Sequence, residues 1–238
     1  MTDPKPPDHP AGGLSVRDIA CVRGTRLLFA GLGFALEPGG LILLTGPNGI
    51  GKSSLLRILA GLLPPARGRV ELADAGAPIA YLGHGDGLKP LATVAETLAF
   101  WAALNGSPDA GARGRACAGA TEHYALGPLA DLPCRYLSAG QRRRVGLARV
   151  LAAGAGLWLL DEPTTALDEA GAAAFERALA AHRAAGGMAV IATHAPVGDG
   201  DAATLPLEPF ARLGAAVPDP FADPGDPPGA DGPAGGAS

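Results

Sequence analysis

Apolar positions give the first map of the chain. Leu14–Ala20 and Leu27–Leu36 read as strands, and in the second Leu28, Leu32, Phe34 and Leu36 hold one face with Gly and Ala between most of them. Leu41–Thr45 (LILLT) is an unbroken apolar run, the mark of a strand covered on both faces. Short strands are expected at Arg69–Ala73 and Ile79–Leu82, buried ones at Leu157–Leu160 and Met188–Thr193, and a last one near Thr204–Leu207. Helical spacing occupies Lys52–Ala60, then Leu91 to Tyr124 with a break at Asn105–Pro108, then Ser138–Leu151 and Asp168–Ala185. Alternation of buried strands with helices predicts an α/β core, helices packed on a largely parallel sheet, with a mostly helical insert over about 85–152. No internal repeat is visible.

Composition changes that map only at its ends. The chain has 238 residues, 36 of them Gly and 23 Pro. From Val217 to Ser238, six Pro, five Gly and four Asp crowd a segment that cannot bury enough apolar surface to offset its ordering entropy. A disordered tail is therefore expected over 214–238 and a disordered Pro-rich opening over 1–13, leaving one domain over 14–213. The formal net charge is −4, and the tail holds four Asp and neither Lys nor Arg, so the body is neutral. A neutral body gives no overall electrostatic drive toward nucleic acid or anionic lipid. Cys21, Cys117 and Cys134 fit no zinc spacing and read as free thiols in a reducing compartment. No cationic segment followed by an apolar core opens the chain, and the longest nearly uncharged apolar stretch, Val150–Leu160, is about half a membrane span. A cytoplasmic chain is expected, meeting any membrane only through another polypeptide.

The chemistry is concentrated in a few segments. Gly46-Pro47-Asn48-Gly49-Ile50-Gly51-Lys52-Ser53-Ser54 follows an apolar strand and opens a helix, the context a phosphate-binding loop requires. Its glycines let successive N–H groups point at phosphate oxygens, and the helix N-terminus adds its positive dipole end. Lys52 supplies a charge for the β- and γ-phosphates and the Ser53 hydroxyl a ligand for Mg²⁺. Leu157–Leu160 then delivers Asp161 and Glu162 at its carboxyl end. Alone this is a strand before an acidic turn. Beside a phosphate loop, Asp161 suits Mg²⁺ and Glu162 suits a base that orients and polarises the attacking water.

Leu137-Ser138-Ala139-Gly140-Gln141 opens another helix, with Ser138 and Gln141 spaced for a capping box and also for a second anion cradle. Arg142, Arg143 and Arg144 read as a solvated helix face. Asp168 caps the next helix. His194 follows an apolar strand, where its side chain can reach a γ-phosphate.

Together these segments resemble the nucleotide-binding subunits of ATP-binding-cassette (ABC) transporters. The order is GPNGIGKSS, LSAGQ, LWLLDEP, TTALD and the histidine of ATH, spanning about 14–194. The resemblance implies a P-loop NTPase core of ABC-ATPase type with a helical insert. It also implies a head-to-tail homodimer with two ATP molecules between copies, Ser138, Gly140 and Gln141 of one facing the phosphate loop of the other. His194 would contact the γ-phosphate, Asp168 would couple the two sites, and Glu162, His194 and Lys52 would be the catalytic set. LSAGQ in place of a second glycine, the stretch YLGHGDGLKPLATVAETL and the short body are most similar to the ATP-binding subunits of haem exporters in cytochrome c maturation. Partners would then be integral membrane subunits, with the chain peripheral on the cytoplasmic face of the inner membrane. No haem attachment motif is present, so haem would be held by partners.

Two departures stand out. Gln141 is the only glutamine, so the loop glutamine of the family is replaced by Gly85, and water, His84 or Asp86 would complete the Mg²⁺ ligation. The aromatic that stacks on adenine is replaced by Arg23, whose guanidinium can stack on a base or be a plain surface arginine. The catalytic motifs read ATP and not cargo, so a transporter of another cargo fits them equally. A cassette acting on chromosomes or ribosomes is disfavoured by the single cassette, the missing heptads and the neutral body; a small-molecule kinase would not need LSAGQ.

Overall fold

The computed structural model describes residues 13–105, 109–198 and 200–212. The expected terminal segments, 1–13 except for Gly13 and all of 214–238, and most of the expected break at 105–108, lie outside the described residues. Gly13 is already tied in, its carbonyl accepting from the Ala73 N–H at 2.9 Å.

Among the described residues eight strands and five α-helices follow in order: β1 (Leu14–Arg23), β2 (Arg26–Leu36), β3 (Leu41–Thr45), α1 (Lys52–Leu59), β4 (Arg67–Leu72), β5 (Ile79–Leu82), α2 (Val94–Asn105), α3 (Ala110–His123), α4 (Ala139–Ala152), β6 (Leu157–Asp161), α5 (Glu169–Ala184), β7 (Met188–Ala192) and β8 (Ala203–Pro206). Strand β3 has the bounds its apolar run predicts, and β5 does too. The core is a five-stranded sheet in the order β5-β6-β7-β3-β8, and every pairing in it is parallel. It matches the α/β expectation, and the helical insert is there as α2, α3 and α4 between β5 and β6.

The two faces of this sheet explain the continuous apolar runs. On β6, Leu157 and Leu159 face one hydrophobic cluster while Trp158 and Leu160 face the other. Likewise Met188, Val190 and Ala192 of β7 join the first cluster, and Ala189 and Ile191 the second. A strand with both faces covered has no polar positions to alternate. The second cluster is shared with α2–α5. The first lies beneath α1 and a separate antiparallel sheet, order β2-β1-β4, that the apolar pattern did not resolve from the parallel one.

Bulges are the reason β2 departs from simple alternation. Between Val16 and Ile19 the extra residue lies on β1, with Asp18 at φ 51, whereas between Ile19 and Cys21 and between Cys21 and Val22 it lies on β2, in the stretch Leu27–Leu32. Leu28 and Phe29, neighbours in sequence, are consequently both buried, while Phe34 is only half-buried.

Arginines correct one expectation. Of Arg142, Arg143 and Arg144 on α4, Arg143 is only 4 % exposed and does not belong to a solvated face; Arg149, for which nothing was expected, is buried to the same extent. Arg149 reaches the Asp86 carbonyl at 3.1 Å and the Tyr81 carbonyl at 2.9 Å, and its guanidinium lies over the Trp101 ring at 4.4 Å. Burial pulls its pKa down to about 10, against the opposite pull of Asp86.

Candidate functional site

The turn from β3 into α1 begins with backbone that only glycine suits. Gly51, the residue that caps α1, sits at φ 120, and a Cβ there would stand 2.8 Å from the Phe29 ring. No side chain caps α1 and its first turn holds no acid, so its leading N–H groups point outward together with the helix dipole. Such a helix start suits an anion.

Around it lies a cleft of about 520 Å³ lined by the loop residues Asn48, Gly49, Gly51, Lys52, Ser53 and Ser54 and, across the sheet, by Asp161, Glu162 and His194. The expected catalytic and Mg²⁺-ligating residues thus share one space. Lys52 is almost wholly buried, its ammonium hydrogen-bonded to the Gly46 carbonyl and 3.4 Å from that of Pro47. Its Nζ is 3.2 Å from His194 Nε2. His194 Nε2 is also 3.2 Å from Asn48 Oδ1 and 3.7 Å from Glu162 Oε1. Ammonium, imidazole and carboxylate therefore meet within hydrogen-bond or ion-pair reach over the phosphate loop.

The other expected residues divide between the cleft and the rest of the surface. Ser54 lines the cleft and also hydrogen-bonds the Cys21 thiol, whose pKa burial pushes up against the pulls of Ser54 and Arg23. Arg23 stands exposed at the end of β1 and is not among the cleft-lining residues. Ser138 caps α4: its hydroxyl accepts from the Gln141 N–H at 3.2 Å and its N–H donates to Gln141 Oε1 at 2.8 Å. Gly140 packs against the turn before α5, where a Cβ would come 2.7 Å from the Ala166 carbonyl oxygen. Asp168 caps α5 through the Gly171 N–H at 2.9 Å and pairs with Arg144 at 3.5 Å. None of Ser138, Gly140, Gln141 and Asp168 lines the cleft of its own chain.

Between the candidates beside Gly85 the geometry discriminates. His84 lines the cleft, whereas the Asp86 carboxylate is engaged by Arg143 at 3.0 Å. Thr165 and Leu28 are cleft residues that motif reasoning did not pick out; Thr165 sits within the TTALD segment and carried a signal, while Leu28 carried none.

Residues 29–165, more than half of the chain, match the family described as ABC transporter. The chain belongs to the ABC transporter family. It is therefore an ATP-binding cassette and an ATPase. Among its relatives, the cytochrome c biogenesis ATP-binding export protein CcmA of Paramagnetospirillum magneticum is 53 % identical over 208 residues, covering 83 % of this chain and 94 % of that protein. The protein of the same name from Ruegeria pomeroyi is 48 % identical, covering 88 % and 98 %. Solved cassettes share the fold. An ABC transporter ATP-binding protein from Pyrococcus furiosus superposes with a TM-score of 0.70 at 23 % identity, over 84 % of this chain and 99 % of that one. A dimeric bacterial ABC transporter cassette does so with a TM-score of 0.67 at 22 % identity, over 76 % and 88 %. Among the described residues, no helix is long and apolar enough to cross a membrane.

Proposed function

We propose that this cassette is the ATP-hydrolysing subunit of a transporter that handles haem in c-type cytochrome biogenesis. It works as a head-to-tail pair bound to integral membrane subunits at the cytoplasmic face of the inner membrane. The observation that carries the ATPase half is the convergence of Lys52, His194, Asp161 and Glu162 on one phosphate-loop cleft. The cytochrome c half is supported by the shared name of relatives about half identical over nearly their whole length.

Each residue has a role its position allows. Lys52 exchanges loop carbonyls for β- and γ-phosphate oxygens. Glu162 orients a water and draws its proton, and His194, within 3.7 Å of that carboxylate, contacts the γ-phosphate. A hydroxyl at Ser53 and a carboxylate at Asp161 are hard oxygen donors of the kind Mg²⁺ takes alongside nucleotide phosphates, and the ion would spread the charge of the transferring phosphoryl group. No cluster of His, Cys, Asp and Glu among the described residues could hold a metal by itself, consistent with a site the nucleotide completes. His84 is the cleft neighbour free to complete that shell, because Asp86 is committed to Arg143.

That Ser138, Gly140 and Gln141 lie outside their own cleft supports the reading in which a second copy supplies them. The test is covalent-haem staining of secreted c-type cytochromes in cells carrying only the Lys52→Ala form. Loss of c-type staining with b-type cytochromes intact is expected. Normal staining would discard the haem assignment and leave a cassette ATPase serving another cargo.

A further inference from the structure

One buried charge is used by none of this chemistry. The Arg143 guanidinium, on α4 just behind the LSAGQ turn, spends its donors almost entirely on backbone. Its Nε donates to the Pro163 carbonyl at 3.1 Å, and its Nη2 donates to the Asp161 carbonyl at 2.6 Å and to the Glu162 carbonyl. Its Nη1 donates to the Gly83 carbonyl at 3.2 Å and meets Asp86 Oδ1 at 3.0 Å. Three successive carbonyls of the acidic turn thus converge on one side chain, and the other end of the fork holds the segment after β5.

Glu162 has a backbone that needs such a clamp. Its φ is 50, in the left-handed region that residues with a Cβ avoid. Conformations of that kind persist where the surroundings over-determine them. Here the Glu162 N–H donates to the Ala192 carbonyl at 2.8 Å, and its carbonyl accepts from Arg143 and from the Thr165 N–H at 3.2 Å. The direction in which the Glu162 carboxylate enters the cleft is therefore set by a residue that does not touch the cleft.

We infer that Arg143 is a positioning residue for hydrolysis: its fork, anchored by Asp86, fixes the Glu162 backbone and ties it to α4 and to the Gly83–Asp86 segment that carries His84. A planar guanidinium with five donors suits several carbonyls and a carboxylate at once, and a lysine ammonium at the same place does not. The wall it supports is shared: His84 and Thr165 border both the nucleotide cleft and a smaller cavity of about 170 Å³ lined by Asp86, Arg143 and Ala166. A shift of the fork would move both residues on the cleft side.

The inference rests on Glu162 as the hydrolytic carboxylate, which Glu162→Gln tests on its own by stopping turnover, so the two can fail separately. The experiment uses the full-length chain assembled with its membrane subunits. Arg143→Lys keeps the charge and the Asp86 partner but loses the fork; kcat for ATP should fall on the order of 10²-fold, as for a misplacement of about 1 Å, with KM changed by less than about threefold. The double variant Arg143→Gln with Asp86→Asn removes both charges, leaves neither unpaired in the interior, and should show the same split. ATP-driven dimerisation, which needs binding and not chemistry, should persist in both. Turnover within about twofold of the parent in either folded variant would overturn the inference. So would a joint loss of nucleotide binding and thermal stability in both, which would make Arg143 a structural residue only.

Discussion

Gly140→Ala is the substitution whose effect the geometry fixes most tightly. The new methyl carbon would lie 2.7 Å from the Ala166 carbonyl oxygen, where ordinary contact begins near 3.4 Å. The neighbour is backbone, in a turn where Ala166 already sits at φ 65, so it cannot rotate aside as a side chain tip would. Overpacking of this kind costs about 1–3 kcal/mol. For a domain of this size that is a fall in Tm of roughly 2–4 °C per kcal/mol. Melting of the nucleotide-free chain reads this contact alone, because the proposed role of Gly140 against the ATP of a second copy plays no part there. A drop of about 4–8 °C is expected for a cost near 2 kcal/mol. Thr165, beside Ala166, lines the cleft, so turnover should fall as well. An unchanged Tm would refute the close approach of α4 to the turn before α5. An unchanged Tm with lost ATP-driven dimerisation would move the whole role of Gly140 to the second copy.

Other consequences are as direct. His84→Ala should lower turnover by about 10- to 100-fold with little change in ATP binding, as expected for a residue that completes a metal shell, and a wild-type rate would return that role to water. Phe175, fully buried on α5, should cost about 3–5 kcal/mol when truncated to Ala, measured by denaturant unfolding; a cost under about 1 kcal/mol would mean the second cluster is loosely packed. His182 stacks on Trp158 at 4.1 Å with Nε2 3.1 Å from the Met188 carbonyl, and burial holds its pKa below the ordinary value. The unfolded chain takes up a proton as pH falls through about 6.5 while the folded chain resists, so stability drops on acidification below that point. Tm should therefore fall between pH 7.5 and 5.5 more steeply in the parent than in His182→Phe, and equal slopes would show that His182 does not contribute.

How much of this was legible in the sequence depends on how far apart the partners lie. The phosphate loop was readable because strand, glycine turn, lysine and helix are contiguous, and each depends on backbone its own residues dictate. Strands β3, β5, β6 and β7 were readable because covered strands are uniformly apolar. The antiparallel sheet was not separable, since its bulges shift the register by amounts that periodicity does not carry. Arg143 was misread for the same reason. Its partners sit 57 and 60 residues back, at Asp86 and Gly83, and 18 to 20 residues ahead, at Asp161, Glu162 and Pro163. A run of three arginines looks solvated when only near neighbours are weighed. The missed signal was its phase, because Arg143 stands one and two turns from Leu147 and Val150, both buried, and so lies on the apolar stripe of α4. A charge placed on such a stripe must find its full set of acceptors inside the fold. The acceptors that Arg143 finds are the backbone carbonyls of the turn that carries Glu162, the proposed hydrolytic carboxylate.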